Sequence, residues 1–146
     1  MSEDMNIIKT KIILDNRFVK YKNHFIENKV VHKPFIAEYL NAIIEENSDK
    51  DVIHITVYDS KDEEGKGYLN DVIDLLNDEQ IVLHVINPRT FHYLPNCSKV
   101  HYYFPLEKDI MVRINKLTNA IKLYGADDLY NIVLVEDLRS ITLNIG

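Results

Sequence analysis

Cysteine is almost absent from this chain of 146 residues: Cys97 stands alone. A single thiol closes no internal disulfide, and without further cysteines it builds no thiolate zinc site. Long apolar runs are missing too. No stretch approaches the ~20 residues needed to cross a bilayer, and the opening Met-Ser-Glu-Asp-Met-Asn has neither the basic region nor the apolar region of a signal peptide. The expectation is a protein that stays in the cytoplasm, with no membrane contact. Basic charge is in deficit, with 17 Lys and Arg against 23 Asp and Glu and a net charge of −6. That balance opposes general attraction to nucleic acid or anionic lipid, both of which require phosphates to be neutralised. The early group Lys9, Lys11, Arg17, Lys20, Lys22, Lys29 and Lys33 reads as solvated faces of a hairpin, because no Arg-aromatic stacking platform accompanies it.

What is present belongs to an ordinary globular protein: 46% apolar and 27% charged residues, in a length typical of one domain spanning 1–146. Repeats, linkers and low-complexity stretches are lacking. Residues 6–14 and 17–31 are rich in Ile, Val, Phe and Tyr and break at Asp15-Asn16, which predicts two or three strands in a hairpin or meander. Pro34 followed by Ile36, Leu40, Ile43 and Ile44 at helical spacing predicts a helix from about 34 to 46. Asp51-Val-Ile-His-Ile-Thr-Val-Tyr58 and Ile81-Val-Leu-His-Val-Ile86 read as buried strands. Between them lie a polar loop and a short amphipathic helix carrying Leu69, Val72, Ile73 and Leu76. Lys99-Val-His-Tyr-Tyr-Phe104 is a third such strand. The pattern Ile110, Ile114, Leu117, Ile121, Tyr124 predicts the longest helix, stopped by Gly125. A short helix over about 126–138 and a strand over 140–145 complete the reading. The fold class expected is therefore α/β: a mixed, largely parallel sheet of helix-strand-helix-strand units, with an N-terminal hairpin and a long C-terminal helix.

Candidate chemistry centres on histidine. His54-Ile-Thr56-Val matches the His-apolar-Thr-apolar strand of two-histidine phosphoesterases, where imidazole is the general acid or base and the hydroxyl holds phosphate. Those enzymes need the motif twice, and at the comparable His84-Val-Ile86 the hydroxyl is absent. His54, His84 and His101 lie on three predicted strands, with Asp51 or Asp59 as oxygen donors, but alternation gives no reason for the three rings to share a face, so no metal is assigned. The acidic loop containing Asp62, Glu63 and Glu64 fails the calcium-loop pattern at its first and last ligand positions. Gly65-Lys66-Gly67 lacks the full phosphate-loop spacing. No cofactor is expected. Phe91, His92, Tyr93, Tyr102, Tyr103 and Phe104 form an aromatic concentration of the kind that marks protein interfaces.

From Pro34 to Pro105 the order of segments resembles the Clp-type peptidase (ClpP) branch of the crotonase-like superfamily, particularly its divergent copies in tailed phages. The pieces that carry the resemblance are residues 35–44, the strand 51–57, the glycine-containing loop leading into residues 69–76, and Tyr93-Leu-Pro-Asn96 before a strand, about half the chain. The family's oxyanion loop is Ser-Pro-Gly-Gly-like, whereas Asp59-Ser-Lys-Asp-Glu-Glu-Gly65 stands here. Its nucleophilic Ser opens a helix for which only 87–92 is available. Its catalytic His position holds Tyr102 or Tyr103, with His101 out of register. The resemblance thus implies a scaffold without peptidase activity. A phage-encoded, non-catalytic protein that binds a host or viral macromolecule is the leading expectation. The binding residues would be Phe91, His92, Tyr93, Tyr102, Tyr103, Asp62, Glu63 and Glu64. The alternatives are a small hydrolase or phosphoesterase using His54 and Thr56 with His84 or His101, and a homo-oligomer, after the ring-forming habit of the family.

Overall fold

The computed structural model describes residues 7–13, 28–30, 33–59 and 69–138. Six strands, β1 (Ile7–Ile13), β2 (Asn28–Val30), β3 (Val52–Tyr58), β4 (Ile81–Ile86), β5 (Lys99–Pro105) and β6 (Tyr130–Val135), form one sheet in the order β2-β1-β3-β4-β5-β6. Every pairing is parallel. Among the described residues, two helices accompany the sheet, α1 (Lys33–Glu46) before β3 and α2 (Ile110–Leu123) between β5 and β6. Among the described residues, no helix is long and apolar enough to cross a membrane.

Burial explains why the central strands read so clearly. The side chains of Ile53, Ile55, Ile81, Leu83, Val100 and Phe104 are wholly buried. They share one face of the sheet by register and join Leu40 of α1 and Ile110, Ile114, Leu117 and Ile121 of α2 in a single core. Right-handed crossovers stepping in one direction from β3 to β6 must place their connections on one side, and that side is the core side. The long strand-helix-strand crossovers are what parallel pairing demands.

Four expectations are corrected. β1 and β2 pair in parallel, so these two strands form no hairpin; a hairpin turn reverses the chain and gives antiparallel neighbours. Residues 14–27 between them lie outside the described residues. The segment after the acidic loop is not an amphipathic α-helix but a 3-10 turn, Leu69–Asp71, continued by tight turns whose bonds run mainly from i+3 to i, such as Val72 N to Leu69 O (3.1 Å) and Leu75 N to Val72 O (3.0 Å). It is too short to repay helix nucleation, yet it still buries Leu69, Val72 and Leu76. The third correction is at 126–138, where β6 replaces the expected short helix. Ile132, Val133 and Val135 are β-branched and suit a strand better than a helix. Lastly, α2, expected to be the longest helix, only equals α1 at 14 residues; it begins at Ile110, directly after Asp109 in a left-handed conformation (φ 67°). Gly125, at φ 64°, closes α2 in the left-handed conformation that favours glycine. The expected strand at 140–145 lies outside the described residues.

Candidate functional site

Alternation puts His54 and Thr56 of β3, His84 of β4, and His101 and Tyr103 of β5 on the face opposite the core. The register then aligns Thr56, His84, His101 and Asn131 in one row across four strands. The three histidines do therefore share a face, against the expectation from sequence. In a parallel sheet, equal steps along neighbouring strands preserve facing, and the pairings of β3, β4 and β5 supply equal steps.

His84 is the hub. Its Nε2 lies 2.9 Å from His54 Nδ1 and its Nδ1 lies 2.8 Å from the Tyr103 hydroxyl. Burial pushes the Tyr103 phenol up to about 12, so the phenol keeps its proton. The two contacts link Tyr103, His84 and His54 in one continuous chain: with its proton on Nε2, His84 accepts from Tyr103 and donates to His54, and with its proton on Nδ1 both directions reverse. His101 stacks on His84 at 4.9 Å with ring planes 10° apart, and His54 stacks on its other side at 5.2 Å and 22°. Burial, seconded by the charge of Lys99, lowers the His101 pKa below its ordinary value. The Asn131 amide donates to His101 Nδ1 at 3.2 Å, which suits the neutral ring. Thr56 is fully enclosed, and its hydroxyl has no hydrogen-bond partner.

This geometry can pass a proton along the chain, but it does not gather ligands around an ion. Among the described residues, no group of three or more His, Cys, Asp or Glu is arranged to hold a metal.

The aromatic concentration is divided by the same alternation. Tyr102 and Phe104 are core residues, at 2% and 0% exposure, whereas Tyr103 joins the histidine face. Phe91, on the connection between β4 and β5, packs against Tyr124 and Tyr130 at 5.4 and 5.1 Å. The Tyr130 hydroxyl pins this connection, accepting from Leu94 N (2.9 Å) and donating to His92 O. His92 meets Thr90 Oγ1 at 3.1 Å, and burial, partly offset by Asp59, lowers its pKa. Tyr93 stacks on Tyr124 with centroids 4.5 Å apart. These two rings are 44% and 55% exposed, beside Leu123 at 86%. Asp62, Glu63 and Glu64 lie outside the described residues.

Tyr124, Leu123 and Asn131 escape sequence reasoning. Tyr124 continues the i, i+3 spacing of the α2 core stripe, but it caps the helix and swings outward. Next to Tyr93 along the chain, at the N-terminal edge of the strands, a shallow depression is lined by Asn77, Asp78, Glu79, Gln80, Pro95 and Asn96. It is held together by the Asn96 N to Asn77 Oδ1 bond of 2.9 Å. This depression is remote from the histidine face. Comparison with protein-family models, with curated proteins and with solved structures found no match.

Proposed function

We propose that this chain acts by binding a protein partner, and that it docks through the N-terminal edge of its sheet around Tyr93 and Tyr124. The supporting observation is the stacked, half-exposed tyrosine pair beside Leu123. Rigid rings lose little entropy on docking, and clustered aromatic anchors dominate interface energetics. The same edge carries the exposed Glu79, Asp127 and Asp128 with Asp78 in the neighbouring depression, on a chain of net charge −6. A basic segment with an apolar or proline anchor fits it best. Tyr93→Ala combined with Tyr124→Ala tests the reading. A stoichiometric partner retained by the parent protein from a lysate of its natural host is lost by the double variant at unchanged Tm. Equal retention by both proteins contradicts it.

The clustering of His54, Thr56, His84 and His101 favours a second reading, general acid-base hydrolysis of an ester or phosphodiester. It predicts turnover that His54→Ala abolishes at unchanged Tm. A lowered Tm without any turnover to lose makes His54 structural. Descent from a degenerate Clp-type scaffold of phage origin is compatible with either reading.

A further inference from the structure

β6 ends the sheet: among the described residues it pairs with β5 on one side and with no strand on the other. The ladder fixes which of its backbone groups are used. Val100 N donates to Leu129 O at 3.0 Å, and Leu106 N donates to Val135 O at 2.8 Å. Successive residues of a strand turn their N–H and C=O to alternate sides, so Asn131, Val133 and Val135 face β5, while Tyr130, Ile132 and Leu134 turn both groups outward. Exposed side chains on both faces show that the strand is not covered over. Asn131 is exposed on the histidine face, and Leu134, aligned with Phe104, is 47% exposed on the core face.

Folded proteins guard such an edge with lysine, proline, a bulge or a very short strand. Tyr130-Asn-Ile-Val-Leu-Val135 has no Lys and no Pro, and its six residues are an ordinary strand length. Its register with β5 runs unbroken from Tyr130 to Val135, which leaves no room for a bulge. Charge sits only beyond its ends, with Asp127 and Asp128 before the strand and Glu136 and Asp137 after it, all exposed. Lys99 Nζ donates to Asp128 O at 2.7 Å and offsets part of the charge at the first end. These ends decide the occupant. A second copy paired about a two-fold axis runs antiparallel and sets Asp127 and Asp128 of one strand against Glu136 and Asp137 of the other, like charge against like at both ends. An extended segment with basic residues at both ends meets carboxylates instead.

We infer that the outer side of β6 receives an extended segment of a partner protein as a seventh strand, a segment of alternating apolar side chains with Lys or Arg at both ends. The site goes beyond the tyrosine surface, with which it shares Asp127 and Asp128. The probe is a synthetic peptide of about ten residues, the span from Asp127 to Glu136, with the sequence Lys-Arg-Thr-Val-Thr-Val-Thr-Val-Arg-Lys, titrated into the full chain by NMR. The expected result is saturable binding that slows hydrogen exchange at the outward amides of Tyr130, Ile132 and Leu134 far more than at those of Asn131, Val133 and Val135. Leu134→Pro removes an outward N–H, leaves the β5 ladder intact and should weaken binding by about tenfold or more, whereas Leu134→Ala keeps the N–H and should weaken it by about threefold or less. N-methylation of the peptide's central amides should abolish binding, a test that leaves the protein untouched and decides the matter if Leu134→Pro does not fold. Tyr93→Ala combined with Tyr124→Ala should bind the peptide as the parent does, and loss of binding there would place the peptide on the tyrosine surface and overturn the inference. No saturation in the millimolar range overturns it, as does equal binding of the methylated peptide or of one with Glu in place of Lys and Arg. A dimer seen by light scattering and dissolved by Leu134→Pro overturns it as well, because the edge then belongs to a second copy.

Discussion

Thr56→Val should stabilise this protein, although it removes a polar group from the middle of the most polar row of the sheet. Thr56 is at 0% exposure, and its hydroxyl has no partner. Such a hydroxyl carries an uncompensated desolvation cost of about 1–3 kcal/mol. Valine keeps the β-branched shape and the strand preference, so little else changes. A gain of ~1–2 kcal/mol is expected. For 146 residues the unfolding entropy is about 0.3 kcal/mol per degree, so Tm should rise by ~3–6 °C. Thr56→Ser supplies the control, since it keeps the hydroxyl, loses one buried methyl, and should cost about 1 kcal/mol. Thermal and urea unfolding followed by circular dichroism should therefore give the order Val, Thr, Ser. A loss of more than about 1 kcal/mol in Thr56→Val would refute the reasoning, because it would mean that the hydroxyl is bonded. Were Thr56 also to hold a phosphoryl group, the stabilised variant would lose turnover, a stability-function exchange common at such sites.

Other outcomes follow from the same structure. Leu83→Ala, at the centre of the core, should cost ~3–5 kcal/mol, read as a fall in the urea midpoint. Cys97 is buried, its thiol donates to Ile81 O at 3.1 Å, and burial pushes its pKa up to about 11. Iodoacetamide should therefore leave it unmodified in the native protein and react only after denaturation. His92 and His101 both have pKa values lowered from 6.5, so folding favours their neutral forms and the unfolded chain takes up more protons. Their contribution to stability is complete above about pH 7.5 and declines as pH falls through 6.5 toward the lower folded values. Unfolding midpoints at a series of pH values should show this decline, and it should shrink in His101→Asn.

The parts of the fold that were legible were those whose local signal agrees with their burial. β3, β4 and β5 are β-branched runs buried on the core side, and α2 shows its buried stripe at Ile110, Ile114, Leu117 and Ile121. β6 was misread because Ile132 and Val135 also fit helical spacing on a half-exposed edge strand, where alternation is weak. The parallel pairing of β1 with β2 has no local signature, since a turn-forming pair such as Asp15-Asn16 suits a hairpin equally well. For the candidate site, sequence supplied the residues but not their grouping. That His54, His84 and His101 share a face depends on the relative register of three strands, a property of tertiary structure. Asn87 was invisible because a left-handed backbone leaves no periodic trace, whereas Tyr124 was misread: its spacing continues the core stripe, but it caps the helix and is 55% exposed.

The docking surface is tested most directly by hydrogen exchange on the full chain, alone and with the retained partner at saturation. Slowed exchange concentrated in residues 91–96 and 122–125, and absent from the partner complex of Tyr93→Ala, is the predicted result. Protection confined to β3, β4 and β5 would contradict it and would place the functional surface on the histidine face instead.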